Sequence, residues 1–83
     1  MDDLKSRLKA MIVERLFLPV KAEDIADNAS LMDTYGVDSV ALFELAVGLE
    51  DEFGVAMEDV DFKIDSFRDV NAIAELVRDK TQA

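Results

Sequence analysis

The fold turns on residues 35–54, Tyr35-Gly36-Val37-Asp38-Ser39-Val40-Ala41-Leu42-Phe43-Glu44-Leu45-Ala46-Val47-Gly48-Leu49-Glu50-Asp51-Glu52-Phe53-Gly54. Two glycines bracket a run whose apolar residues recur at helical spacing. Gly36 admits a tight or left-handed backbone. Asp38 offers a carboxylate to the exposed amides of a first turn, and Gly54 is a good C-terminal stop. The spacing predicts a helix from about Ser39 to Phe53. Leu42, Leu45, Ala46, Leu49 and Phe53 share one face, assigned to the core. A second stripe, Val40, Phe43 and Val47, lies far around the helix beside Glu44, Glu50 and Asp51. An apolar stripe rimmed by carboxylates reads as a docking face. The alternative is that these side chains only widen the core face.

Outward from this helix the chain stays helical. Leu4, Leu8, Met11, Ile12 and Leu16 fall on one face of a first helix. Pro19 disfavours helix at Leu18 and closes that element. Residues 20–37 read as a long loop, with turn formers at Asp27, Asn28 and Ser30 and apolar anchors at Val20, Ile25 and Leu31. Loops this long in a small domain are often functional. On the other side, a short helix is expected near Glu58–Lys63, with Met57, Val60, Ile64 and Phe67 turned inward. A last helix runs from Asp69, its cap, through Val70, Ile73, Ala74 and Val77 to Lys80. The expectation is all-α: a small four-helix bundle in one domain over residues 1–83. It has three main helices, a short helix before the last, and a long loop between helices 1 and 2.

Composition narrows the function. The chain has 83 residues, about half of them hydrophobic, a net charge of −10, and neither histidine nor cysteine. That is enough apolar material for a modest core and too much for a disordered acidic tail. Without cysteine there is no disulfide framework and no thiolate metal site. The charged N-terminus does not read as a signal peptide, and no apolar run approaches the ~20 residues that span a bilayer. A cytoplasmic protein is the default expectation, and a monomer.

The negative charge is concentrated. Residues 38–65 hold nine acidic side chains against Lys63, whereas residues 1–21 hold five basic and three acidic ones. Such a field repels nucleic acid and anionic membranes and attracts basic surfaces. Solubility alone would also account for it. The run Asp59, Asp61, Lys63, Asp65 is not an EF-hand loop: counted from Asp59, the sixth position is Ile64 and the twelfth is Val70, where Gly and Glu are needed. No metal site is expected.

Ser39 is the chemically interesting residue. A hydrolase would need a base beside it and oxyanion donors. The chain has no imidazole, and Lys63, the single lysine between Lys21 and Lys80, sits among acids. Catalysis is therefore not expected. A serine opening a helix does tolerate a phosphate ester, because amides and the positive dipole end surround it. The ester could belong to an attached group or to a phosphoserine that switches a small acidic interaction module.

The motif Gly36-Val37-Asp38-Ser39-Val40, with Glu44-Leu45 and Leu49-Glu50-Asp51-Glu52-Phe53-Gly54, resembles the acyl carrier proteins. The loop residues 20–31 and the entry to the last helix, residues 67–73, are similar to that family as well. The resemblance implies that Ser39 receives 4′-phosphopantetheine from coenzyme A through a phosphopantetheinyl transferase. Asp38 would assist that enzyme and its magnesium. It further implies that Val40, Phe43, Glu44, Val47, Glu50 and Asp51 meet basic docking patches on acyl- or aminoacyl-loading and condensing enzymes. Val40, Ala41, Phe43 and Tyr35 depart from the usual residues of fatty-acid carriers. The longer span from Met57 to Phe67 is closer to discrete carriers of secondary metabolism, such as polyketide biosynthesis, or of aminoacyl transfer.

Overall fold

The computed structural model describes residues 3–58 and 63–81. Four α-helices are present among the described residues: α1 (Asp3–Leu16), α2 (Leu31–Tyr35), α3 (Ser39–Phe53) and α4 (Val70–Thr81). Short 3-10 turns occupy Ala22–Asp24 and Ile64–Phe67. No strand occurs among the described residues, and none of their helices is long and apolar enough to cross a membrane. The all-α bundle is as expected.

The helix boundaries have local causes. Helix α1 ends at Leu16 because Phe17 turns left-handed (φ 52°) and the Leu18 N–H donates to the Val13 carbonyl at 3.2 Å. This is a Schellman stop with phenylalanine at the position where glycine usually stands. At α3 the caps are those read from sequence. Asp38 Oδ1 accepts from the Ala41 N–H at 2.9 Å, and Gly54 is left-handed at φ 67°. At α4, Asp69 Oδ1 accepts from the Ala72 N–H at 2.8 Å.

Two expectations need correction. Before the last helix the described residues hold the 3-10 turn Ile64–Phe67, and a short α-helix not expected from the sequence, α2, lies inside the long loop. Ser30, read as a turn former, is its N-cap: the Oγ accepts from the Asp33 N–H, and Gly36 closes the other end in the left-handed region. Five residues are too few to show helical periodicity. As for the helix expected near Glu58–Lys63, Glu58 and Lys63 themselves are not helical, and residues 59–62, Val60 included, lie outside the described residues. Ile64, expected to point inward, is 59% exposed. The chain reaches it in extended form at Lys63 (φ −119°), and the single tight turn that follows sends Phe67 into the core instead.

The core is one cluster. Leu8, Met11 and Ile12 of α1 meet Leu42, Leu45, Ala46 and Leu49 of α3 and Val70, Ile73, Ala74 and Val77 of α4. Ile25, Leu31, Val37 and Phe67 close it from the connections. The long loop is thus pinned, as its anchors suggested. It is also stitched to the last helix and to the residues that enter it: the Leu31 N–H donates to the Arg68 carbonyl at 2.9 Å, and the Asn71 N–H to the Asp27 carbonyl at 3.0 Å. The Tyr35 hydroxyl accepts from the Ala26 N–H.

Asp27 adds a charge tie between loop and α1. Its buried Oδ1 meets the Lys9 ammonium as an ion pair, not through a well-angled hydrogen bond, and Lys5 approaches Oδ2 at 3.6 Å. Lys9, more than Lys5, holds this carboxyl below its ordinary value near 3.8. A lowered folded-state pKa contributes stability that is present above the unfolded value and is lost as pH falls through the folded one. Asp27→Asn is therefore expected to lower the melting temperature at neutral pH. The gap to wild type should close as pH falls below about 4, the ordinary carboxylate range. Melting curves across pH 2–7 check it; a gap independent of pH would remove the ion pair from this role. Because the side chain is 42% exposed, solvent screening keeps the effect small.

Candidate functional site

Ser39 is the first residue of α3 and is exposed. Val37, buried two residues earlier, fixes where the chain enters the helix. Asp38 takes the Ala41 amide on its side chain and the Leu42 amide on its carbonyl, at 3.0 Å. The earlier amides of the turn, those of Ser39 and Val40, have no partner within the helix and stand at the positive end of a fifteen-residue dipole. On one flank, a Cβ built at left-handed Gly36 would have no atom within 4 Å, so the approach is open.

On the other flank lies a cleft of about 170 Å³, lined by Ser39, Leu42, Phe43, Ile64 and Phe67. The misplaced Ile64 is thus a wall of this cleft and not a core residue. Only Ser39 brings a polar side chain to it. A phosphodiester fits at the helix end, and an extended arm with an apolar end fits the cleft beside it. The residues present therefore suit an attached phosphopantetheine.

The second stripe of α3 is surface. Val40 is 75%, Phe43 61% and Val47 45% exposed, and Glu44, Glu50 and Asp51 are exposed around them. The wide-core alternative does not hold. The rim, however, is more engaged than the sequence suggested. Glu50 Oε2 accepts from the Met57 N–H at 3.0 Å and ties down the chain that leaves α3. Arg15 of α1 donates to Glu44, Asp51 and Glu52 at 3.3 Å each. These carboxylates, Glu44 foremost, raise the Arg15 pKa and keep it charged. Arg7 donates to the Glu52 carbonyl at 3.3 Å and stacks over Phe53, 4.4 Å from the ring centre.

Sequence reading missed Arg15 and Glu52. The signal was Gly48, the one glycine inside α3. Its missing Cβ lets α1 press close: a Cβ there would stand 2.8 Å from Met11 Sδ and 2.9 Å from Arg15 Cδ. No cluster of three or more acidic, histidine or cysteine side chains able to hold a metal occurs among the described residues.

With this geometry in place, the comparison with known families is decisive. Residues 6–77 match the family model of the phosphopantetheine attachment site. The chain belongs to that family. A relative, the acyl carrier protein of Zymomonas mobilis, is 39% identical over 59 residues, which cover 71% of this chain and 73% of that one. Among solved structures, similarity extends to one chain of the crystal structure of engineered Bradyrhizobium japonicum glycine:[carrier protein] ligase complexed with carrier protein from Agrobacterium tumefaciens and ATP. The TM-score is 0.78 at 27% identity, over 89% of this chain and 95% of the matched one. The holo acyl carrier protein of Nitrosomonas europaea shares the fold, with TM-score 0.85 at 17% identity over 98% and 99% of the two chains. The chain is an acyl carrier protein: it carries thioester-linked intermediates on phosphopantetheine and is not itself an enzyme.

Proposed function

We propose that Ser39 is the attachment residue and that α3 is the face by which this carrier is handled. The observation that carries the reading is the position of Ser39: exposed, at the dipole end of α3, with an apolar cleft on one side and open space over Gly36 on the other. When attached, the group supplies a terminal thiol on a long flexible arm, which holds the cargo as a thioester. The chain's own residues supply the frame. Asp38 fixes the first turn so that the Ser39 hydroxyl projects outward, and it offers a carboxylate next to that hydroxyl, where a transferase's magnesium would sit. The amides at the helix end favour the phosphate. Val40, Phe43 and Val47 offer an apolar strip, and Glu44, Glu50 and Asp51 orient a basic partner around it.

The expected partners are a phosphopantetheinyl transferase, which takes the group from coenzyme A, and loading and condensing enzymes with basic docking patches. The cargo is acyl or aminoacyl, in a specialised pathway and not in bulk fatty-acid synthesis. The departures at Tyr35, Val40, Ala41 and Phe43 and the long span before Phe67 support this. So does the likeness to a structure in which a carrier protein is complexed with a glycine ligase. We place the protein in the cytoplasm as a monomer.

Digestion of the modified protein tests the assignment. Trypsin leaves Ser39 on the peptide 22–63 together with Ser30 and Thr34. Fragmentation should put the added group on Ser39. Placement on Ser30 or Thr34 would overturn the assignment. Phosphate alone on Ser39 would favour the switched interaction module.

A further inference from the structure

The acidic rim of α3 is already occupied from within. Arg15 spreads its guanidinium over three carboxylates: Nη1 to Glu44 Oε2, Nη2 to Asp51 Oδ2 and Nε to Glu52 Oε2, each at 3.3 Å. Two of them come from one turn of α3 and the third from almost two turns earlier, and Gly48, which lies between them along the helix, carries no side chain to meet them. The stem of Arg15 lies along Gly48, whose Cβ, if present, would stand 2.9 Å from Arg15 Cδ and Nε. A glycine at this position thus admits the arginine to the rim. All three carboxylates remain between 41% and 62% exposed, and Arg15 itself is 24% exposed. Exposed pairs of this kind are weak and exchange readily.

We propose that Arg15 is a built-in competitor for docking: it sits where a partner's Arg or Lys would sit, and a docking enzyme must displace it or share the rim with it. This rests on the reading of α3 as the docking face. A partner that brings a planar guanidinium can reproduce the contacts it displaces, because Arg is matched to paired carboxylates. One that brings only apolar contact leaves Arg15 in place and gains nothing from the rim. Arg15 also cancels one of four negative charges, Glu44, Glu50, Asp51 and Glu52, and so moderates attraction at long range. A carrier that must leave each enzyme after delivery benefits from both effects, since the displaced arginine is poised to return and speed release.

The test is kcat/KM for transfer of phosphopantetheine to the full chain, with coenzyme A, magnesium and a transferase whose docking surface is basic, at low ionic strength. Arg15→Gln is expected to raise it roughly threefold to tenfold. Lys21→Gln, which makes the same change in net charge on an exposed residue of the loop, should raise it much less. Arg15→Lys keeps the net charge but cannot span three carboxylates, so its value should fall between wild type and Arg15→Gln. High salt should erase the differences. An Arg15→Gln rate equal to that of Lys21→Gln, or below wild type, overturns the proposal while leaving attachment at Ser39 intact. Should Arg15→Gln lose helicity by circular dichroism, Arg15→Lys decides: a rate at or below wild type overturns it. Failure of wild type to be modified at Ser39 overturns the attachment reading and this proposal with it.

Discussion

Truncation of Phe67 to alanine is expected to cost about 3–5 kcal/mol, the usual loss for a buried phenylalanine. Phe67 heads the largest fully buried side chains and is 1% exposed. It stands at the end of the 3-10 turn Ile64–Phe67, where the chain crosses from α3 to α4, and it forms the inner wall of the cleft beside Ser39. An 83-residue domain has on the order of 4–12 kcal/mol of stability in total, at ~0.05–0.15 kcal/mol per residue. The variant should therefore lose about a quarter or more of its total stability. Urea titration followed by circular dichroism measures this. A loss below about 1 kcal/mol, as for a surface position, would mean that Phe67 does not close the core.

Reversing Glu44 and Glu50 together to lysine should slow transferase modification and partner turnover by on the order of tenfold or more at low salt, the lower end of electrostatic steering effects. The double change moves the face by four charge units and sets an ammonium against the Arg15 guanidinium, which donates to Glu44 in the wild type. It also removes the Glu50 acceptor of the Met57 N–H, at a cost of about 1 kcal/mol. The fold should nevertheless persist, because both side chains are exposed and neither belongs to the core cluster. The deficit should grow as salt is lowered, since exposed charges are screened within about a Debye length. Unchanged rates at low salt in a folded double variant would remove this face from docking.

Much of this molecule was legible in its residues. Asp38 and Gly54 bracket α3 because cap chemistry is local and side-chain specific, and the same holds for Asp69 at α4. The core and surface stripes of α3 follow from its period over fifteen residues. Where the chain is irregular, local rules gave less. Helix α2 has one turn, and its Ser30 cap looks the same as a turn serine until Gly36 is seen to close it. Ile64 and Phe67 are both apolar and three residues apart, and only the direction of chain entry at Lys63 decides which is buried. The Arg15 clamp is a contact between residues far apart in sequence, made close by Gly48. No window of sequence contains it.

The most direct measurement is the intact mass of the chain after incubation with coenzyme A, magnesium and a broad-specificity phosphopantetheinyl transferase, with Ser39→Ala alongside. Wild type should gain one phosphopantetheine and Ser39→Ala none, with the two proteins equally helical by circular dichroism. An equal gain in both would contradict carriage at Ser39, as would no gain on a folded wild-type chain.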